Sequence, residues 1–169
     1  MKKIVASLLA LTIAVSAMGT YKTMYKKKKK AVKQKTSVVV NSTNIKSVLM
    51  GRSACYGQCP SYTIEVFENG LLRYTGKDFV EKKGVFEKKI SAAEAIGFLK
   101  DFNTLKPDTL HHMYETRIAD LPGIYYFINY PDSVKRVMNA DAGPRILIDW
   151  AKKFDEFAKI DDTWTIKKD

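Results

Sequence analysis

The sequence predicts an α+β fold, an antiparallel sheet built of hairpins with two helices packed on one face. Strand-like segments come in pairs that are close enough in sequence to form hairpins. Two segments of helical periodicity separate and follow these pairs. An order of strands, helix, two strands and helix is typical of this architecture, since a parallel sheet would need longer crossovers.

The first strands are predicted from alternation and from one turn. Residues 44–52 and 61–67 have strand patterns, and residues 68–70 form the turn that follows. A three-residue loop with Gly70 in the left-handed conformation separates a core face from a solvent face, whereas a two-residue loop would mix them. The pairs that this register predicts are Val66 with Leu72, Ile64 with Tyr74, Glu65 with Arg73 and Thr63 with Thr75.

The later elements follow in order. One or two further strands are expected at 79–80 and 84–90, and two more at 124–130 and 134–138. Ser91 and Glu94 form a capping box that begins a helix running to about Leu105, and Pro144 begins the last helix. The apolar stripe predicted for the first helix is Ala95, Ile96, Leu99, Phe102 and Leu105. That predicted for the last helix is Leu147, Trp150, Ala151, Phe154 and Ala158.

Charge divides the chain into two parts. The 169 residues carry 29 Lys and Arg and 18 Asp and Glu, a net charge of +11. Ten of the lysines fall within residues 1–35, which contain no acid, so the rest of the chain is nearly neutral. A neutral body lacks the excess of cations on which non-specific nucleic-acid binding depends. The sequence therefore predicts no nucleic-acid partner, and it predicts a single domain at 44–169.

The N-terminal segment has the features of a signal peptide. Two lysines precede an apolar run at 4–19 that ends in small residues and is short for a membrane span. We therefore expect residues 1–19 to be a signal peptide or anchor, and the protein to be periplasmic or secreted. No cysteine follows the run directly, which excludes lipid attachment at such a residue. Eight lysines after the run favour the alternative of an uncleaved anchor with the body facing the cytoplasm.

The Lys-rich segment at 20–43 is interpreted as a solvated linker, because like charges in series repel and keep a chain extended. A second interpretation is contact with anionic lipid. The lysines that would make this contact are Lys26, Lys27, Lys28, Lys29 and Lys30.

Cys55 and Cys59 are the two cysteines of the chain. In an exported protein such a pair most often forms a disulfide, here closing a small loop and fixing its shape. Three residues between the cysteines and a following strand argue against a thiol oxidoreductase. The two histidines, His111 and His112, are adjacent, which argues against a zinc site. We predict no metal and no cofactor.

The stretch RSACYGQCPSY at 52–62, the Asn69-Gly70 turn and residues 74–76 resemble an uncharacterised bacterial family. Its members share the pattern Arg-x-x-Cys-Tyr-Gly-x-Cys-Pro-x-Tyr. Tyr114, Asp120 and residues 121–123 are similar to its second half, and the resemblance covers residues 45–160. It implies a cell-envelope domain with no assigned chemistry. Many such proteins are lipoproteins, and this chain departs from them by lacking the lipid-accepting cysteine.

No phosphate-binding loop, nucleophile elbow or metalloprotease motif is present in the sequence. We interpret Asp155 and Glu156 as solvated surface charges beside the stripe of the last helix. The aromatic residues at 125–127 and Tyr130 suit either a ligand groove or the core, and a strand between two helices favours the core.

These observations favour a non-catalytic cell-envelope module that binds a peptide, glycan or protein. The candidate binding residues are Arg52, Tyr56, Gln58, Tyr114 and Asp120. Two alternatives stay open: an envelope enzyme, either thiol redox or a hydrolase using Asp120, Tyr114 and Arg52, and a membrane-anchored protein facing the cytoplasm.

Overall fold

The computed structural model describes residues 44–117 and 120–167. The predicted leader at 1–19 and the Lys-rich linker at 20–43, with its candidate lipid contacts, lie outside the described residues. Within the described part of the chain, no helix is both long and apolar enough to cross a membrane.

The described residues form one eight-stranded sheet with the strand order β5-β7-β6-β1-β2-β3-β4-β8. Neighbouring strands are antiparallel, except that β5 runs parallel to β7. The strands are β1 (Ser47–Arg52), β2 (Ser61–Phe67), β3 (Leu71–Asp78), β4 (Gly84–Lys89), β5 (Met113–Tyr114), β6 (Ile124–Asn129), β7 (Val134–Asn139) and β8 (Thr165–Ile166).

Two helices pack on one face of this sheet, which confirms the predicted α+β fold. They are α1 (Ala92–Asn103) and α2 (Arg145–Ala158). A short 3₁₀ turn, Pro107–Thr109, follows α1. Alternate residues of the central strands and the apolar stripes of both helices form a single core. Among its fully buried side chains are Val48, Met50, Ile64, Val66, Leu99, Phe102, Tyr126, Ile128, Leu147 and Phe154.

The register predicted for the β2–β3 hairpin is confirmed at all four pairs. Gly70 has a φ of 86°, so it supplies the left-handed residue that the three-residue loop requires. The N–H of Ile90 donates to Gly70 O at 2.9 Å, which ties the turn to the residues before α1. The alternation of apolar and polar residues along these strands therefore predicted correctly which residues face the core.

The helix starts are also as predicted. The Ser91 side chain accepts from Glu94 N–H at 3.2 Å, and the Glu94 carboxylate accepts from Ser91 N–H at 3.0 Å. All five residues of the stripe predicted for α2 are buried. Helix α1 ends at Asn103, slightly before the predicted end. Phe98, outside the predicted stripe, stacks on Phe157 of α2 with ring centroids 4.1 Å apart.

The structure differs from the sequence interpretation at three places. Residues 79–80 form no strand, and Phe79 has a φ of 53°. Residues 113–114, for which the sequence predicts no element, form the edge strand β5, which pairs with β7. No element is predicted after the last helix, but that segment contributes β8, which pairs with β4, and it buries Trp164. Both strands depend on contacts between segments that are distant in sequence.

The aromatic run on β6 divides between the two faces of the sheet. Tyr126 is buried beneath α2 and donates a hydrogen bond to Leu147 O. Tyr125 and Phe127 point to the opposite face, where no helix of the described residues covers them. The expectation of core packing is therefore right for Tyr126 and wrong for Tyr125 and Phe127.

Candidate functional site

The two cysteines lie in the connection between β1 and β2, which we call the Cys-loop (residues 53–60). Cys55 and Cys59 are at disulfide distance, with their Cα atoms 5.6 Å apart. The N–H of Gly57 donates to Cys55 O at 2.8 Å, so the chain turns tightly between the cysteines. This arrangement restricts the conformations of the three residues at the tip.

Arg52 and Tyr62 face each other across the base of the Cys-loop, as the last and first inward-facing residues of β1 and β2. Arg52 Nε donates to the Tyr62 hydroxyl at 2.7 Å. Arg52 Nη2 donates to Asp155 Oδ2 at 2.6 Å, and the Tyr62 hydroxyl donates to Asp155 Oδ1 at 2.7 Å. This anchor cluster (Arg52, Tyr62 and Asp155) therefore joins both ends of the loop to helix α2.

Burial and hydrogen bonding shift the pKa values of two members of this cluster, Tyr62 and Arg52. Burial, followed by the hydrogen bond to Asp155, raises the pKa of Tyr62 far above its ordinary value. The hydrogen bond and charge of Asp155 outweigh burial and raise the pKa of Arg52. Tyr62 is thus a neutral donor and Arg52 a permanent cation. Asp155 is a partner in an ion pair across the fold, which corrects its interpretation as a solvated surface charge.

The Cys-loop also rests on the strip that precedes β6, residues 120–123. Ser53 N–H donates to Gly123 O at 2.9 Å, and Gly123 N–H donates to Ser53 Oγ at 2.8 Å. Nearer the tip, Tyr56 N–H donates to Asp120 O at 3.2 Å. Asp120 has a φ of 60°, a conformation that aspartate tolerates better than most side chains. The loop is therefore held on two sides, by the anchor cluster and by this strip.

At the tip, Tyr56 is 92% exposed and Gln58 is also exposed. The backbone of Tyr56 is fixed by the bond to Asp120, while its ring extends into solvent. Full exposure of a large aromatic side chain on a restrained loop is unusual, because most tyrosines bury part of the ring. Tyrosine in such a position is typical of a contact residue at an interface.

A cavity of about 390 Å³ opens beside the strip. Tyr114 and Asp120 both line it, as do Ser53 and Gly123 from the contact with the Cys-loop. Its other walls are mostly apolar, and the ring of Tyr125 folds over Gly51, which has no side chain to obstruct it. The volume lies in the range of natural ligand pockets. The cavity can receive an apolar side chain with a polar end.

The predicted site residues are partly brought together. Tyr114 and Asp120 share the first cavity, and the Tyr114 hydroxyl accepts from His111 N–H at 3.1 Å. Arg52 lines an adjoining cavity of about 300 Å³ together with Cys59. Tyr56 and Gln58 are at the loop tip. A binding role for these five residues stays a prediction, and Arg52 in addition holds the loop.

Sequence reasoning missed the role of Asp155. This residue lies four positions after Ala151 and three before Ala158, both buried members of the α2 stripe. A carboxylate at that position faces the margin of the core and needs a partner. Arg52, at the start of the cysteine motif, is the cation that such a carboxylate could pair with. Nothing in the sequence indicated this pairing, because Arg52 and Asp155 are 103 positions apart.

The histidines have local partners. His112 Nδ1 lies 3.1 Å from Arg136 O, and the ring of His111 packs edge-on against Tyr114. Among the residues that the structure describes, no three His, Cys, Asp or Glu side chains are grouped so that they could hold a metal ion.

Fold and site together define an α+β domain in which a loop with paired cysteines is anchored to the last helix. The chain belongs to the family described as "Domain of unknown function (DUF6438)", whose family model matches residues 46–158. No curated protein matches the chain. The resemblance seen in the sequence is thus confirmed at the level of an uncharacterised domain family. That the pattern at 52–62 is shared by the family stays a prediction.

Proposed function

We propose that this protein is an exported, non-catalytic domain of the bacterial cell envelope that binds a protein partner through the tip of the Cys-loop. The observation that carries the proposal is Tyr56, which is 92% exposed on a loop held on two sides and closed by the paired cysteines. An aromatic residue presented on a rigid loop loses little conformational entropy on binding. It also supplies the large contact area that is common at the centre of protein interfaces.

The surroundings of Tyr56 support a partner that is a protein rather than a small molecule. Gln58, two positions along the loop, offers an exposed amide for hydrogen bonding. The first cavity is lined by Asp120, whose carbonyl oxygen accepts from Tyr56 N–H. Asp120 and Glu115, both carboxylates, line that cavity, and none of the described residues that line it is basic. A basic side chain of the partner would therefore complement the cavity while Tyr56 packs against its surface.

Export is supported by the signal-peptide features of residues 1–19 and by the cysteine geometry, since disulfides persist in oxidising compartments. We expect both cysteines of the native protein to resist an alkylating reagent until a strong reductant is added. We also expect a mature N-terminus near Met18 or Thr20 in the mass spectrum. Two free thiols on an intact N-terminus would contradict export and favour the cytoplasm-facing alternative.

Alkylation of the cysteines before and after mild reduction also tests for thiol redox activity. We expect the blocked pair to be inert to mild reductants, because the loop is restrained and the cysteines are not at the start of a helix. Ready reduction and re-oxidation would instead favour the alternative of an envelope enzyme.

We expect the Tyr56→Ala variant to bind its partner at least about tenfold more weakly, as is usual for an aromatic residue at the centre of an interface. Its thermal stability should be unchanged, because the ring makes almost no contact with the domain. The partner is first identified by placing a photo-crosslinking residue at position 56 of the full chain in living cells. Binding of the purified partner is then compared for wild type and variant.

Ile166, which is 69% exposed on β8, is the matched control for both steps. A crosslinker at position 166 should not give the same adduct, and the Ile166→Ala variant should bind as wild type does. The proposal fails if adducts at the two positions are the same, or if Tyr56→Ala binds the identified protein with unchanged affinity.

A further inference from the structure

A third cavity, of about 380 Å³, lies on the helix side of the Cys-loop base. Its walls are mainly apolar, and its lining has no residue in common with that of the first cavity. The residues that form the apolar walls are Pro60, Ile64, Phe79, Val80 and Ile160. Tyr62, Tyr74 and Asp155 form a polar end, so the anchor cluster is part of this cavity as well as the support of the loop.

Tyr74 carries a hydroxyl group without a protein partner in this cavity. Its side chain is 4% exposed, and its hydroxyl makes no hydrogen bond to any residue that the structure describes. No inaccessible side-chain oxygen of the described residues lacks a partner. The Tyr74 hydroxyl must therefore reach the open space of the cavity, where a ligand can accept its hydrogen bond.

Residues 79–82 form the rim of the cavity, and the backbone conformation at Phe79 is unusual. Phe79 has a φ of 53°, in the left-handed region, and its ring is 53% exposed. A bulky residue in this region is strained, and such strain is concentrated at binding and catalytic sites. The neighbouring Lys82 donates from Nζ to Asp162 at 3.1 Å, which holds the rim against the C-terminal segment. The rim thus presents an exposed aromatic ring over a preformed cavity.

The charges around the polar end are balanced. Two acidic residues, Asp155 and Glu81, and one basic residue, Lys82, line the cavity. Arg52 does not line it but forms an ion pair with Asp155, so the two negative charges are matched by two positive ones. Burial, followed by the charge of Asp155, raises the pKa of Tyr74, so its hydroxyl stays a neutral donor. The cavity therefore offers one donor and one acceptor to a ligand with no net charge.

We propose that this third cavity binds a peptide segment, with an aliphatic side chain against the apolar walls and one backbone amide at the polar end. The amide carbonyl accepts from the Tyr74 hydroxyl, and the amide N–H donates to the Asp155 carboxylate. A secondary amide supplies these two groups without charge. The apolar walls favour an aliphatic side chain over a sugar, whose hydroxyl groups would be left without partners there.

The probe is N-acetyl-leucine methylamide, titrated into the isotope-labelled full chain and followed by NMR. We expect saturable shifts at the amides of Tyr62, Val80 and Lys82. The Tyr74→Phe variant should bind about fivefold more weakly, the usual effect of one hydrogen bond, with unchanged thermal stability because the hydroxyl has no protein partner. Tyr125→Phe, the same change in the first cavity, should leave the affinity unchanged.

A second NMR titration uses N-acetylglucosamine, which has the amide but no aliphatic side chain. We expect it to bind more weakly than N-acetyl-leucine methylamide. The proposal is overturned if neither probe saturates, if the shifts map to the first cavity, if the sugar binds better, or if Tyr74→Phe binds like wild type. The site is separate from the Cys-loop tip, so crosslinking at position 56 in the Tyr74→Phe variant should be unchanged. Failure of one proposal therefore does not entail failure of the other.

Discussion

Replacing Trp164 with alanine is expected to lower the free energy of unfolding by about 4 kcal/mol, a value typical of large aromatic residues in a core. The side chain is 4% exposed and packs edge-on against Tyr74, with ring centroids 6.3 Å apart. Its Nε1 donates to the carbonyl oxygens of Ala158 and Lys159, both at 3.2 Å, at the end of α2. The alanine variant loses both the packing and the cap. Urea denaturation followed by circular dichroism measures the change.

Two further variants separate these contributions. Trp164→Phe keeps most of the buried ring and loses the donor, so we expect a loss of about 1–2 kcal/mol. Ile166→Ala, two residues further along the same segment, should change stability by less than about 0.5 kcal/mol because its side chain is exposed. If Trp164→Ala is no less stable than Ile166→Ala, the C-terminal segment is not part of the core. Trp164 lies beyond the residues that the family model matches.

Local patterns predicted the parts of the fold that are determined by neighbours in sequence. Gly70 and the alternation of β2 predicted the hairpin register, because a slip of one residue would turn the core residues to solvent. Ser91 and Glu94 fixed the start of α1 by satisfying its free amides. These features need no knowledge of the rest of the chain, and each was confirmed.

The remaining features depend on contacts between distant segments. Strand β1 lies between β2 and β6, and the second of these neighbours is more than 70 residues away. Neighbouring strand residues such as Tyr125 and Tyr126 face opposite sides of a sheet, but the sequence does not show which side the helices cover. Likewise, Tyr114 and Asp120 could be named from the family resemblance, whereas the Arg52–Asp155 pair required the position of α2 in the fold.

Replacing Asp155 with alanine is expected to lower the free energy of unfolding by about 2 kcal/mol. The change leaves the half-buried guanidinium of Arg52 without its ionic partner and removes the acceptor of the Tyr62 hydroxyl. Hydrogen bonds to charged groups contribute about 1.5–3 kcal/mol each, and the partial exposure of this pair places the effect towards the lower end. Denaturant unfolding of the variant measures it.

Asp149→Ala is the matched control on the same helix. Asp149 lies 4.0 Å from Arg145, whose side chain is largely exposed, so removing it should change stability by less than about 0.5 kcal/mol. Asp155→Asn, which keeps an oxygen acceptor, should fall between the control and the alanine variant. Equal effects of Asp149→Ala and Asp155→Ala would show that the anchor cluster contributes nothing to stability.

The Asp155 variants also separate two roles for Arg52, as an anchor of the Cys-loop and as a contact for the partner. If Arg52 acts through Asp155, a double-mutant cycle with Arg52→Ala should give a coupling energy of about 1–2 kcal/mol. Hydrogen exchange at the Tyr56 amide, which donates to Asp120, should quicken equally in both single variants. A contact role would instead weaken partner binding in Arg52→Ala far more than in Asp155→Ala. Because the guanidinium donates to Asp155 of α2, we expect the first result.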